Sequence, residues 1–187
     1  MTEIEQLLTR VASQARNSRP WGWPSLPEPV DADTLDRAEA ALGFALPPLL
    51  ATLYRRIGDG GFGPSYGLLP LLDSPPSGEP AAVAQYLANR EEGRKDPGWP
   101  WPEHMLPISH WGCGMYACVD CRDRTGPVLL FEPNADAADD AWFVDALTLT
   151  DWLTAWLDGT GWYEEPNDGM ELARWTEFRI RTAPKRA

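Results

Sequence analysis

Apolar positions recur at helical spacing from the start of the chain. In "TEIEQLLTRVASQARN", Ile4, Leu7, Leu8, Val11 and Ala15 share one face, and Thr2 with Glu5 makes a capping-box pattern. "SRPWGWPSLPEPV" then breaks the period, since its four prolines rule out a regular helix. A second helix is predicted with Asp33 as its cap, Leu35, Ala38 and Leu42 inward, and Gly43 as its stop. Pro47 and Pro48 suit the first turn of a third. Its apolar face is Leu49, Leu50, Leu53, Tyr54 and Ile57, and Gly58 stands where a left-handed C-terminal cap belongs.

The period then shortens. "YGLLPLL" (66–72) reads as a buried strand, and a Pro/Ser/Gly loop at 74–80 leads to a helix with Val83, Tyr86 and Leu87 facing the core. "KDPGWPWPEHM" is irregular. "LPIS" and "GMYACVD" read as strands, "RDRTG" as a turn, "PVLLFEPN" as the returning strand and "AWFVDA" as one more. "TLTDWLTAWLDG" is a helix with Leu149, Trp152, Leu153, Trp156 and Leu157 inward and Gly159 as its stop, and the tail "DGMELARWTEFRIR" reads as a last helix. Helices, then consecutive strands, then helices again, predict an α+β fold rather than a doubly wound sheet.

The length of 187 residues favours one domain over residues 1–187. The net charge of −12 disfavours phosphate-backbone binding and anionic membranes, so neither nucleic acid nor a membrane is expected as partner. A basic protein would be attracted instead. No Lys or Arg occurs from Thr125 to Ala173, while Glu132, Asp136, Asp139, Asp140, Asp145, Asp151, Asp158, Glu164, Glu165, Asp168 and Glu171 all do. That stretch is either a solvated acidic surface or a partner-binding face. With a polar amphipathic N-terminus and no long apolar run, a soluble cytoplasmic protein with reduced cysteines is expected.

"IGDGGFGP" (57–64) holds a G-x-G-x-x-G pattern at Gly58, Gly60 and Gly63. A dinucleotide fingerprint needs a strand leading in and a helix leading out. Here a helix leads in and Pro64 followed by a strand leads out, so no helix N-terminus faces a phosphate. The glycines are better explained as a helix stop and a reversal, anchored by Phe62.

This loop carries a resemblance. "LGFALPPLLATLYRRIGDGGFGPSYGLLPL" (42–71), "ISHWGCGMYACVDC" with "GPVLLFEPN" (108–134), and "TLTDWLTAWLDG" resemble, in order, the blocks of the SUKH superfamily. The resemblance implies a single α+β domain with a mostly antiparallel twisted sheet flanked by N-terminal and C-terminal helices. It makes Gly58, Gly60, Gly61, Phe62, Gly63, Pro64, Trp111 and Gly112 fold-signature positions. It also implies a non-enzymatic bacterial immunity protein, one that binds and neutralises a polymorphic toxin such as a nuclease. A regulatory scaffold without a toxin and a small-molecule-binding domain are the alternatives.

The remaining chemistry is weaker. His110, Cys113, Cys118 and Cys121 could supply four zinc ligands, but Cys118 and Cys121 start on opposite faces of a strand, and buried cysteine is common as a small hydrophobe. No local signature supports Cys-His catalysis with His104 or His110. The Asp136–Asp145 group lacks the calcium-loop spacing. No catalytic residue, metal or cofactor is therefore assigned. The partner-binding candidates are Trp21, Trp23, Trp99 and Trp101 in the Pro-rich loops, with Asp136, Asp139, Asp140, Glu164 and Glu165. For the tryptophans, an exposed anchor and a ring folded back onto the sheet edge are the two open readings.

Overall fold

A computed structural model describes residues 2–20, 22–74, 80–167 and 170–183. Trp21, Asp168 and most of the 74–80 loop lie outside the described residues. The helices are α1 (Glu3–Asn17), α2 (Ala32–Leu42), α3 (Pro48–Arg56), α4 (Ala82–Lys95), α5 (Leu149–Asp158) and α6 (Phe178–Thr182). The strands are β1 (Met105–Gly112), β2 (Met115–Asp120), β3 (Val128–Phe131), β4 (Trp142–Ala146) and β5 (Ala173–Arg174). They form one five-stranded antiparallel meander in the order β1-β2-β3-β4-β5. The fold is α+β, with an antiparallel sheet flanked by helices.

The sheet is covered on both sides at its centre. Ala117, Cys118 and Val119 are successive residues of β2 and all are fully buried, so inward and outward positions do not alternate there. α5 packs against β4, α1 and α3, while α4 packs against β1 and α2. One apolar cluster runs through all of these elements. Trp142 is the aromatic hub of β4, in contact with Trp101, Phe131, Trp175 and Phe178. The β1–β2 turn is Cys113-Gly114, and both residues have positive φ (52° and 81°), as the right-handed twist of a two-residue hairpin demands.

Several local expectations need correction. Asp31, not Asp33, caps α2, accepting from Thr34 N at 2.8 Å. The 66–72 segment is not a strand: it runs along the edge of β1 with a single bridge, Leu68 to Ser109. Pro70 within it has no N–H to give a ladder. Ile4 and Leu87 are exposed rather than in the core. Among its described residues the tail forms the short β5 and the five-residue α6 rather than one helix. Its docking comes from burial of Trp175 and Phe178 against Trp142 and from long-range pairing of Arg181, which no helical period announces.

Gly58 is also corrected. The residue that closes α3 is Ile57, in right-handed geometry, and Gly58 does not take a left-handed φ. Glycine is required there because the Pro-rich segment crosses it. A Cβ at Gly58 would lie 2.7 Å from the Pro27 carbonyl oxygen. The positive φ angles fall later, at Gly60 (80°), Gly61 (72°) and Gly63 (111°).

Candidate functional site

The glycine loop is closed on itself. Gly58 N donates to Leu53 O, Asp59 N to Glu28 O, Gly60 N to Gly58 O and Gly61 N to Leu68 O. Asp59 Oδ1 accepts from Leu71 N at 2.7 Å. Phe62 is fully buried, and the Trp23 ring covers Gly61, where a Cβ would meet it at 2.7 Å. A phosphate cradle needs several N–H groups aimed outward. These four already donate within the chain, and the loop joins three segments of the fold.

The cysteines do not converge. Cys113 is exposed in the β1–β2 turn, Cys118 lies fully buried in mid-β2, and Cys121 follows the end of that strand. Burial pushes the thiols of Cys118 and Cys121 well above the usual range, the nearby Asp120 adding to the shift at Cys121. Both are therefore protonated at neutral pH, and a thiol in that state is a poor nucleophile. No group of three or more His, Cys, Asp or Glu side chains able to hold a metal converges among the described residues.

The tryptophan loops are sorted by their hydrogen bonds. Trp101 folds inward, its Nε1 donating to Met105 O at 2.8 Å. Trp23 is half-buried and donates to Tyr66 O at 2.9 Å. Trp111 is packed with Trp162 and Tyr163, ring centroids 5.1 and 4.7 Å away. Trp99 is half-buried and retains an accessible face on the rim of two hollows.

Those two hollows share Trp99, Pro100 and Ala138 as a ridge. The first, of about 240 Å³, lies between α4 and the 97–102 loop and is lined by Asn89, Glu92, Asp96, Trp99, Trp101, Phe131 and Trp142. The second, of about 370 Å³, is shallower and contains Asp136, Asp139, Phe178 and Arg179. Gly93 makes the first possible: a Cβ there would lie 2.6 Å from Trp101 N, so any side chain would lift the loop off α4. Arg90 reinforces the seat by donating to Trp101 O.

The fold therefore brings Trp99, Trp101, Asp136 and Asp139 to one place, with Asp140 beside them. Glu164 and Glu165 lie after α5 and line neither hollow, and Trp23 sits on the glycine loop. Glu92 and Asp96 are additions that the sequence reading passed over. The clue was the order of "EEGRKDPGWPWP", which puts acids directly before the tryptophans.

The acidic stretch is less uniformly free than its sequence suggests. Arg179 Nε donates to Asp139 Oδ2 at 2.7 Å, which holds that carboxyl below the usual range. Arg174 pairs with Asp140 and Arg10 with Asp158. Asp136 and Glu165 are exposed with no ion pair among the described residues. A separate cleft of about 490 Å³ at the amino ends of α1, α3 and α5 carries both signs, Glu3 and Arg124, among threonines.

Among the described acids of the stretch, Asp145 is turned inward. Its Oδ2 accepts from Trp152 Nε1 at 3.0 Å. Burial raises its carboxyl to about 6, against the indoles of Trp152 and Trp162, which favour the charged form. A folded-state pKa above the unfolded value of about 3.9 means that the folded chain binds this proton more tightly. The stability Asp145 contributes is then fully present below pH ~4 and lost as pH rises through ~6. Asp145→Asn keeps an acceptor for Trp152 and removes the titration. The stability of the wild type relative to this variant, from urea unfolding, should fall between pH 4 and 7; a flat or rising difference would contradict the assignment.

Together these features define an acidic α+β protein on an antiparallel meander, with a tryptophan-edged surface, and not a dinucleotide-binding fold. The chain belongs to the SMI1 / KNR4 family (SUKH-1), whose family model matches residues 29–155, more than half of its length. A search of the curated proteins finds no match. No helix among the described residues is long and apolar enough to cross a membrane.

Proposed function

We propose that this protein is a non-enzymatic immunity protein, acting in the bacterial cytoplasm as one domain, that binds and neutralises a basic toxin domain through the surface around Trp99. The observation that carries the reading is the meeting of one accessible tryptophan with three carboxylates that no arginine pairs among the described residues, Glu92, Asp96 and Asp136, across two adjoining hollows. Family membership and the net charge of −12 support it. Trp supplies a large desolvated contact at small entropic cost, which is why it recurs at binding hot spots. The carboxylates steer a basic partner into register and raise its association rate. If the toxin is a nuclease, the same carboxylates would compete with the phosphates of its substrate for the active-site cleft.

Cells expressing the carboxy-terminal domain of the upstream neighbouring gene's product should grow when this chain is co-expressed and stop growing when it is not. No protection and no complex would remove the toxin from the reading and leave a scaffold or regulator.

A further inference from the structure

We propose that the hollow between α4 and Trp99 is the seat of one arginine side chain contributed by the protein partner. This rests on the partner-binding reading above and names what the first hollow recognises. Size narrows the choice. A cavity of about 240 Å³ is below the ~300–1,000 Å³ usual for small-molecule sites, and it fits a single long side chain. Lining chemistry narrows it further. Trp99, Trp101, Phe131 and Trp142 give aromatic walls, Glu92 and Asp96 give carboxylates, and no Lys or Arg among the described residues lines the hollow.

A flat cation with several N–H donors answers both features. A guanidinium stacks on aromatic faces and grips a carboxylate with two parallel bonds. An ammonium is more strongly hydrated and loses more on entering an aromatic hollow. Asp96 has capacity to spare, because Oδ1 takes the Gly98 N–H at 3.0 Å and no ion pair engages the carboxylate among the described residues. Among the described residues Glu92 pairs with Lys95 alone, at 3.1 Å on an exposed surface, a pair of little worth that a partner can displace. The chain itself supplies a precedent across the ridge. There Asp139 already receives the guanidinium of Arg179 through both Nε and Nη2. Glu92 and Asp96 offer carboxylates on the near side, and no arginine among the described residues pairs with either.

The test needs no toxin. The full chain, labelled with ¹⁵N, is titrated with N-acetyl-arginine amide, N-acetyl-lysine amide and N-acetyl-norleucine amide while the tryptophan indole N–H resonances are followed. The arginine compound should shift the Trp99 resonance saturably, binding about fivefold more tightly than the lysine compound, the ratio for ~1 kcal/mol of extra stacking. Norleucine amide should leave it in place. Asp96→Asn, which keeps the acceptor for Gly98 N, should weaken the arginine effect at least threefold with the rest of the spectrum unchanged. Equal response to norleucine, an unchanged arginine response in Asp96→Asn, or no Trp99 shift with arginine amide at ~50 mM would overturn the proposal. Toxin protection without an arginine response would remove this inference alone. An arginine response without toxin protection would remove the toxin reading alone.

Discussion

Arg181→Met should destabilise the protein by about 3–5 kcal/mol, the cost of leaving one member of a buried ion pair alone. Arg181 reaches from α6 to the end of β2. Its Nη1 donates to Asp120 Oδ2 at 2.5 Å and its Nη2 to Asp120 Oδ1 at 2.9 Å. Only 8% of the Arg181 side chain and 12% of the Asp120 side chain are exposed, so solvent screens the pair little. The guanidinium also lies over the Trp175 ring, 5.4 Å from its centroid. A five-residue helix has no stability of its own, so α6 is held by this contact and by Phe178 and Trp175. Removing the arginine strands a carboxylate in the core and frees the carboxy-terminal segment. Pairing the change with Asp120→Asn should return most of the loss, since the uncompensated charge is the larger part of it. Urea unfolding of the two single variants and the double variant closes that cycle. A loss below ~0.5 kcal/mol for Arg181→Met would mean that the pair is not formed in solution.

Gly60→Ala should cost about 2–5 kcal/mol, combining left-handed strain with a clash that cannot relax. Gly60 has φ of 80°, and a Cβ there would sit 2.5 Å from Leu68 O and 2.8 Å from the Leu69 carbonyl carbon. Both are backbone atoms held by Gly61 N→Leu68 O and Leu69 N→Ile108 O, so moving them disturbs the edge of β1. Gly43 is the built-in control. It has nearly the same φ, 79°, and nothing within 4 Å of its would-be Cβ. Gly43→Ala should therefore cost only the conformational part, about 1–2 kcal/mol. The gap between the two variants measures how tightly the glycine loop is clamped. Equal costs would show that the 67–69 segment yields easily.

Much of the fold was legible because period and caps act locally. α1 and α5 end where their apolar stripes and caps end, and "RDRTG" turns the chain between β2 and β3. The errors came where distant chain decides. Gly58 looks like a helix cap from its neighbours, but it is glycine because Pro27 crosses it. "YGLLPLL" has a strand's composition, yet Pro70 and the packing of Leu68 and Leu69 beside β1 leave it a single bridge.

The site was half legible for the same reason. Trp99 and Trp101 read alike, two residues apart in one Pro-rich loop. A hydrogen bond to Met105 O buries one of them, and position on the ridge leaves the other accessible. Asp139 and Asp140 read as free charge because Arg174 and Arg179 lie more than thirty residues further along the chain. Glu92 and Asp96 gain a role only because Gly93 lets the 97–102 loop seat against α4 beside them, a contact that nothing local in the sequence announces.

The central claim is that acidic groups around Trp99 bind a basic partner. Calorimetric titration of the chain with the carboxy-terminal domain of the upstream neighbouring gene's product, at ~50 and ~500 mM salt, tests this most directly. The wild type should bind, more weakly at high salt, because its exposed carboxylates are then screened. Glu92→Gln with Asp96→Asn should weaken binding by at least tenfold at low salt and flatten the salt dependence, since ~1.4 kcal/mol is lost with two desolvated charges. Unchanged affinity and salt dependence in that double variant would place the partner elsewhere on the molecule and contradict the account.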